Sequence, residues 1–144
     1  MAETKKVKIL FVEDENLLRS LFSDALSLDT EFQYEIASVA SLTAGLKAVE
    51  LNKPDVVILD LILPLEDGEA IPSQERGITF IEKVKGDPSL KDIPIIVFSN
   101  LDDPETKKRA FDLGAESYLV KSESLPQTFL ATIKNTLKKS LNWF

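Results

Sequence analysis

The chain has 144 residues, 44% hydrophobic and 28% charged, with 24 acidic against 17 basic side chains and a net charge of −7, which suits one globular domain with a full core. Cysteine and histidine are both absent, so disulfides, thiolate chemistry and imidazole ligands or bases are excluded, and any chemistry must come from carboxylates, hydroxyls, amines and backbone. The acidic balance argues against general binding to nucleic-acid phosphates, no apolar stretch is long enough to span a bilayer, and the first residues, MAETKKVK, lack the apolar stretch of a signal peptide, so a cytoplasmic location is expected.

In chain order, Val7–Val12 (VKILFV) predicts a first strand, followed at once by Glu13, Asp14, Glu15 and Asn16. Asn16 or Asp14 suits the cap of the next helix, and acidic residues suit a helix N-terminus. Leu17, Leu18, Leu21, Phe22, Ala25 and Leu26 then recur at helical spacing, to an end near Asp29. Tyr34–Ala37 is a short second strand. Ser41 suits the cap of a helix with Leu42, Leu46 and Val49 on one face, closed by Lys53-Pro54. Val56–Leu59, between Pro54 and Asp60, is a short apolar run rich in β-branched residues, the pattern of a central strand covered on both faces.

Leu65–Arg76 is acidic and polar, contains Gly68 and Pro72, and reads as a long loop. Ile78, Ile81 and Val84 mark a short helix ended by Gly86-Asp87-Pro88. Ile95–Phe98 is a fourth strand, with Ser99 and Asn100 behind it. Pro104 suits the start of a helix running to Leu113, with Gly114 at its C′ position. Ser117–Val120 is a fifth strand, followed by Lys121. Leu125, Phe129, Ile133 and Leu137 form the stripe of a last helix. Five alternations of strand and helix predict an α/β fold, a parallel sheet with helices on both faces. No repeat or linker divides the sequence, so residues 1–144 read as one domain.

A parallel sheet brings its strand ends to one edge, where open α/β sheets bind ligands. That edge would carry Glu13 and Asp14, Asp60, Ser99 and Lys121. Singly, each has an ordinary explanation as a helix cap, a turn residue or a solvated lysine. Together they describe a site. Three carboxylates repel one another and suit a hard divalent cation such as Mg²⁺. A lysine and a hydroxyl beside the same aspartate suit stabilisation of a phosphoryl group.

The pieces KILFVEDE, PDVVILDLILP, IPIIVFSN and GAESYLVKS make the chain, from Val7 to about Leu137, resemble a response-regulator receiver domain, the CheY-like phosphoacceptor module of two-component signalling. The resemblance implies a doubly wound, flavodoxin-like sheet of five parallel strands in the order 2-1-3-4-5. It implies that Asp60 is the phosphorylated residue. It further implies Glu13 and Asp14 as the acidic metal-binding pair, with Asp14 the closer match for a direct ligand of Mg²⁺, and the main-chain carbonyl of Ile62 as another ligand. Ser99 matches the hydroxyl that contacts the phosphoryl group, Lys121 the family's lysine, and Tyr118 the aromatic that switches with Ser99. The implied donor is a sensor histidine kinase or a phosphotransfer protein. The implied output is a downstream protein target or a homodimer formed on phosphorylation, with no direct contact to nucleic acid or membrane. Such a chain is not a dedicated enzyme and would catalyse only its own phosphorylation and dephosphorylation.

The sequence departs from the family pattern in places. Ser122 follows Lys121 where proline is usual, and Asn100 follows Ser99 where a small residue is common. The family's loop glycine is matched by Gly68, with extra residues after it, or by Gly77, with extra residues before it. Other functions fit less well. A receiver-like module that is never phosphorylated would not need Asp60, Asp14, Ser99 and Lys121. A haloacid-dehalogenase-type phosphohydrolase needs an aspartate where Ile62 stands, and a flavodoxin would place phosphate against Glu13-Asp14-Glu15. The long loop is expected to be a tolerated insertion or a determinant of kinase choice. Unless the chain is a fragment of a longer regulator, the expected output is a protein contact on the last two helices and fifth strand, with Lys134, Lys138 and Lys139 contributing.

Overall fold

The computed structural model of the chain describes residues 5–13, 16–68 and 73–142, apart from the side chains of residues 16–19, 21 and 74. Strand and helix alternate as β1 (Lys5–Val12), α1 (Asn16–Ser27), β2 (Phe32–Val39), α2 (Leu42–Asn52), β3 (Val56–Leu59), α3 (Gln74–Gly86), β4 (Ile95–Ser99), α4 (Pro104–Asp112), β5 (Ser117–Val120) and α5 (Pro126–Ser140). The five strands form one sheet in the order β2-β1-β3-β4-β5, and every neighbouring pair is parallel. This is the doubly wound topology expected from the sequence.

The sheet is covered because its strands are apolar on both sides. Leu10, Val12, Val57, Leu59, Ile95 and Val97 point to one face and pack on Leu42, Val49, Ile78, Phe80, Ile81, Val84 and Ala110 of α2, α3 and α4. Val7, Ile9, Phe11, Val56, Ile58, Ile96 and Phe98 point to the other and pack on Phe22, Leu26, Phe129, Ile133 and Leu137 of α1 and α5. The alternation follows the two-residue period of a strand. The Phe22 and Phe129 rings meet tilted at 50°, 4.3 Å between centres, and close on Phe98 at 5.0 and 5.2 Å. Each such side chain contributes about 1.5–3 kcal/mol on burial. Among the described residues, no helix is long and apolar enough to cross a membrane.

Three strands are longer than predicted, β4 only by Ser99. β1 and β2 pair over eight residues, from Lys5 against Phe32 to Val12 against Val39. β2 lies at the sheet edge and is half exposed, so polar Gln33, Glu35 and Ser38 are tolerated where a central strand would need apolar residues. α3 begins at Gln74, before its first buried isoleucine, because Ser73 caps it and accepts from the Glu75 amide at 3.2 Å. The Gly77 amide donates to the Leu61 carbonyl at 3.0 Å, and a Cβ there would lie 2.3 Å from the Leu61 Cα. Gly77 is therefore the glycine that the loop after β3 requires, and the extra residues precede it. Gly68 instead supplies a turn at φ +82 with open space around it.

Candidate functional site

The strand register gathers the site at one edge. Val12 pairs with Leu59, and the Asp60 amide donates to the Val12 carbonyl at 2.9 Å. The Glu13 amide donates to the Val39 carbonyl at 3.0 Å. Glu13 and Asp60 thus leave adjacent strands side by side. Ser99 ends β4 opposite Val120 of β5, and Lys121 follows directly. The Lys121 ammonium lies 2.7 Å from Glu13 Oε2 and 3.0 Å from Asp60 Oδ2, with all three side chains no more than 7% exposed. It also lies 5.9 Å from the Phe98 ring centre. The second Asp60 oxygen, Oδ1, accepts from the Ile62 amide at 3.1 Å. Asp14 lies outside the described residues.

Burial sets the electrostatics. It pushes the Asp60 carboxyl up, and although Lys121 and the Ile62 amide pull it down, the net direction is upward. Burial alone would push the Lys121 ammonium down, but Asp60 and Glu13 outweigh it and raise it. The lysine is thus a firmly charged counter-ion held between two acids. The donor set also fits a hard cation. Glu13 and Asp60 offer oxygens only. Among the described residues, the carbonyls of Leu61, Leu63, Pro64 and Leu65 accept main-chain bonds and that of Ile62 does not. Oxygen donors without nitrogen or sulfur suit Mg²⁺ or Mn²⁺.

Ser99 is fully buried, and its Oγ accepts from the Leu101 amide at 3.2 Å. The Tyr118 hydroxyl donates to the Leu101 carbonyl at 2.6 Å. Both residues of the expected switch therefore meet on the backbone of one residue, Leu101, Ser99 at its amide and Tyr118 at its carbonyl, and the tyrosine ring is already half-buried beside Phe111 and Lys107. Leu101 leaves no signal in the sequence, because it acts through its backbone. Asp103, and not Ser99, caps α4 by accepting from the Thr106 amide at 3.0 Å.

The lysines of α5 correct one expectation. Lys134 pairs with Asp29 at 3.3 Å and Glu31 at 2.6 Å, and Lys138 pairs with Glu31 at 3.0 Å. They tie α5 to the turn before β2, on the α1 side of the sheet. The helix stripe that buries Phe129, Ile133 and Leu137 turns Lys134 and Lys138 toward that acidic turn, whereas Lys139 lines a cleft with Glu116 and Ser117 at the start of β5.

The model of the response regulator receiver domain matches residues 9–134. The KdpE transcriptional regulatory protein of Staphylococcus aureus is 35% identical over 114 residues, covering 79% of this chain and 43% of that protein. A crystal structure of a response regulator from Chloroflexus aurantiacus superposes with a TM-score of 0.76 at 28% identity, over 92% of this chain and 98% of that one. That of the phosphorylated cyanobacterial phytochrome response regulator RcpA superposes with a TM-score of 0.73 at 27% identity, over 94% of each. The chain spans about half the length of the curated relatives it matches. With the match covering nearly every element of the sheet and the whole edge that holds Glu13, Asp60, Ser99 and Lys121, the chain belongs to the response regulator receiver domains of two-component systems.

Proposed function

We propose that the chain is a phosphoacceptor in which Asp60 takes a phosphoryl group from a phosphohistidine on a sensor kinase or phosphotransfer protein. The observation that carries this reading is the buried ammonium of Lys121, 3.0 Å from Asp60 and 2.7 Å from Glu13. An Asp60 oxygen forms the new bond to phosphorus as the bond from phosphorus to the donor nitrogen breaks, and the electron pair leaves with the donor imidazole. The transfer calls for charge stabilisation and positioning more than for proton transfer, which suits a chain without histidine. Lys121 meets the charge on the phosphoryl oxygens, and the Ser99 hydroxyl turns from Leu101 to donate to one of them. A divalent cation such as Mg²⁺, when bound, would supply further neutralisation of charge there. Glu13, Asp60 and the Ile62 carbonyl would hold it, together with Asp14.

Because Ser99 and Tyr118 hold opposite ends of the Leu101 backbone, a Ser99 hydroxyl drawn to the phosphoryl group frees the Leu101 amide and loosens the residue on which Tyr118 rests. Phosphorylation then biases an equilibrium of the loop after β4 and the face of α4 and β5. Its consequence is a changed contact with a downstream protein or a second copy of the chain, and not turnover of a separate substrate. A cytoplasmic location and no direct nucleic-acid contact accompany this reading. The test is incubation with acetyl phosphate and Mg²⁺, followed by intact-mass measurement. One phosphoryl group should be added, and chelation of the cation should abolish it. Labelling that persists in excess chelator, or no labelling with any phosphodonor, contradicts the proposal.

A further inference from the structure

The segment after Asp60 is held at four carbonyls. The Leu61 carbonyl accepts from Gly77 at 3.0 Å, and Leu63 exchanges two bonds with Ser73 at 3.2 and 2.9 Å. The carbonyls of Pro64 and Leu65 accept from the amides of Leu42 and Thr43 at 3.0 Å each. Those donors belong to the first turn of α2, whose amides have no acceptor within the helix. Thr43 adds a second bond, with its Oγ1 donating to Glu66 Oε1 at 2.9 Å. Ile62 stands between the anchored carbonyls of Leu61 and Leu63, and its amide donates to Asp60 Oδ1 at 3.1 Å. A shift of the Leu63–Glu66 arm therefore moves Ile62 against the reacting carboxylate.

We infer that Thr43 is a positioning residue for phosphoryl transfer. Acting through Leu65 and Glu66, it fixes the Ile62 segment against Asp60. The inference rests on the phosphoacceptor reading of Asp60. A displacement of about 1 Å near reacting atoms can cost a large factor in rate, so one bond at the far end of a short tethered arm reaches the chemistry.

The test compares Thr43→Val, which loses the hydroxyl and keeps the amide, with Thr43→Ser, which keeps both, in the full chain. Three quantities are read: the initial rate of labelling by acetyl phosphate at saturating Mg²⁺, the affinity for Mn²⁺, and the NMR shift of the Ile62 amide. Thr43→Val should slow labelling about fivefold, weaken Mn²⁺ about threefold and move the Ile62 amide, while Thr43→Ser should stay within about twofold of the wild type. Wild-type rate and Mn²⁺ affinity in Thr43→Val overturn the inference, even with a lowered melting temperature, because the bond is then structural only. Equal impairment in both variants overturns it as well. A wild type that takes up no phosphoryl group defeats the phosphoacceptor reading. In that case Mn²⁺ affinity and the Ile62 amide alone decide whether Thr43 holds the segment.

Discussion

Asp60 sits where burial opposes its own charge. Its carboxyl is pushed up by burial, and Lys121 and the Ile62 amide recover only part of that. A carboxyl raised on folding holds its proton more tightly in the native chain than in the unfolded one. Its contribution to stability is full below the unfolded value and is lost as pH rises through the folded one. Asp60→Asn should therefore melt at a higher temperature than the wild type at pH 7 without divalent cation. The gain should vanish below about pH 3.5, where unfolded carboxyls are protonated too. A variant less stable than the wild type at pH 7 contradicts this. Lys121→Met should act the other way, leaving Glu13 and Asp60 buried without their counter-ion at a cost of about 3 kcal/mol, and should slow labelling about a hundredfold. Denaturant melts and labelling rates measure both. Asp60, Ser99 and Lys121 were readable from the sequence because each stands directly after an apolar run. The pairing of Glu13 with Lys121 was not, since a charge next to a strand end does not reveal which neighbour it meets.

Connections between elements rest on a few side chains that look ordinary in sequence. Lys85, near the end of α3, resembles a lysine that complements a helix C-terminus. Its ammonium instead donates to the carbonyls of Lys91 and Ile93 at 3.0 and 2.9 Å and pairs with Glu116 at 2.9 Å. Glu116 in turn accepts from the Ile95 amide at 2.6 Å. This knot fixes the starts of β4 and β5 against α3. Lys85→Met keeps the stem and should cost about 2 kcal/mol in urea denaturation, whereas an unchanged midpoint would show that the knot adds nothing. Gly77 makes the closest approach of α3 to the loop after β3. Gly77→Ala puts a carbon into the Leu61 backbone and should cost about 1–3 kcal/mol, read the same way. The helix and strand types followed from periodicity. The ends of β2 and the start of α3 did not, because an edge strand tolerates polar residues and the first turn of α3 is polar with a glycine in it.

The alternation of apolar runs with amphipathic stretches foretold the parallel sheet of the whole molecule. The family resemblance foretold the strand order, which the structure bears out. The destination of the α5 lysines was hidden, since it depends on which part of the sheet the helix crosses. Lys134 and Lys138 join the last helix to the turn before β2, so Lys138→Glu should lower the melting temperature by placing like charge beside Glu31. Lys139→Glu, which is exposed, should leave it nearly unchanged. Loss of stability in both variants alike would contradict that assignment. All of these contacts support the edge at which Asp60 is proposed to react. The most direct measurement compares the wild type with Asp60→Asn by intact mass and peptide mapping after acetyl phosphate and Mg²⁺. One phosphoryl group on the wild type, mapped to the peptide containing Asp60 and missing from Asp60→Asn, is the predicted result. Undiminished labelling of Asp60→Asn would contradict it.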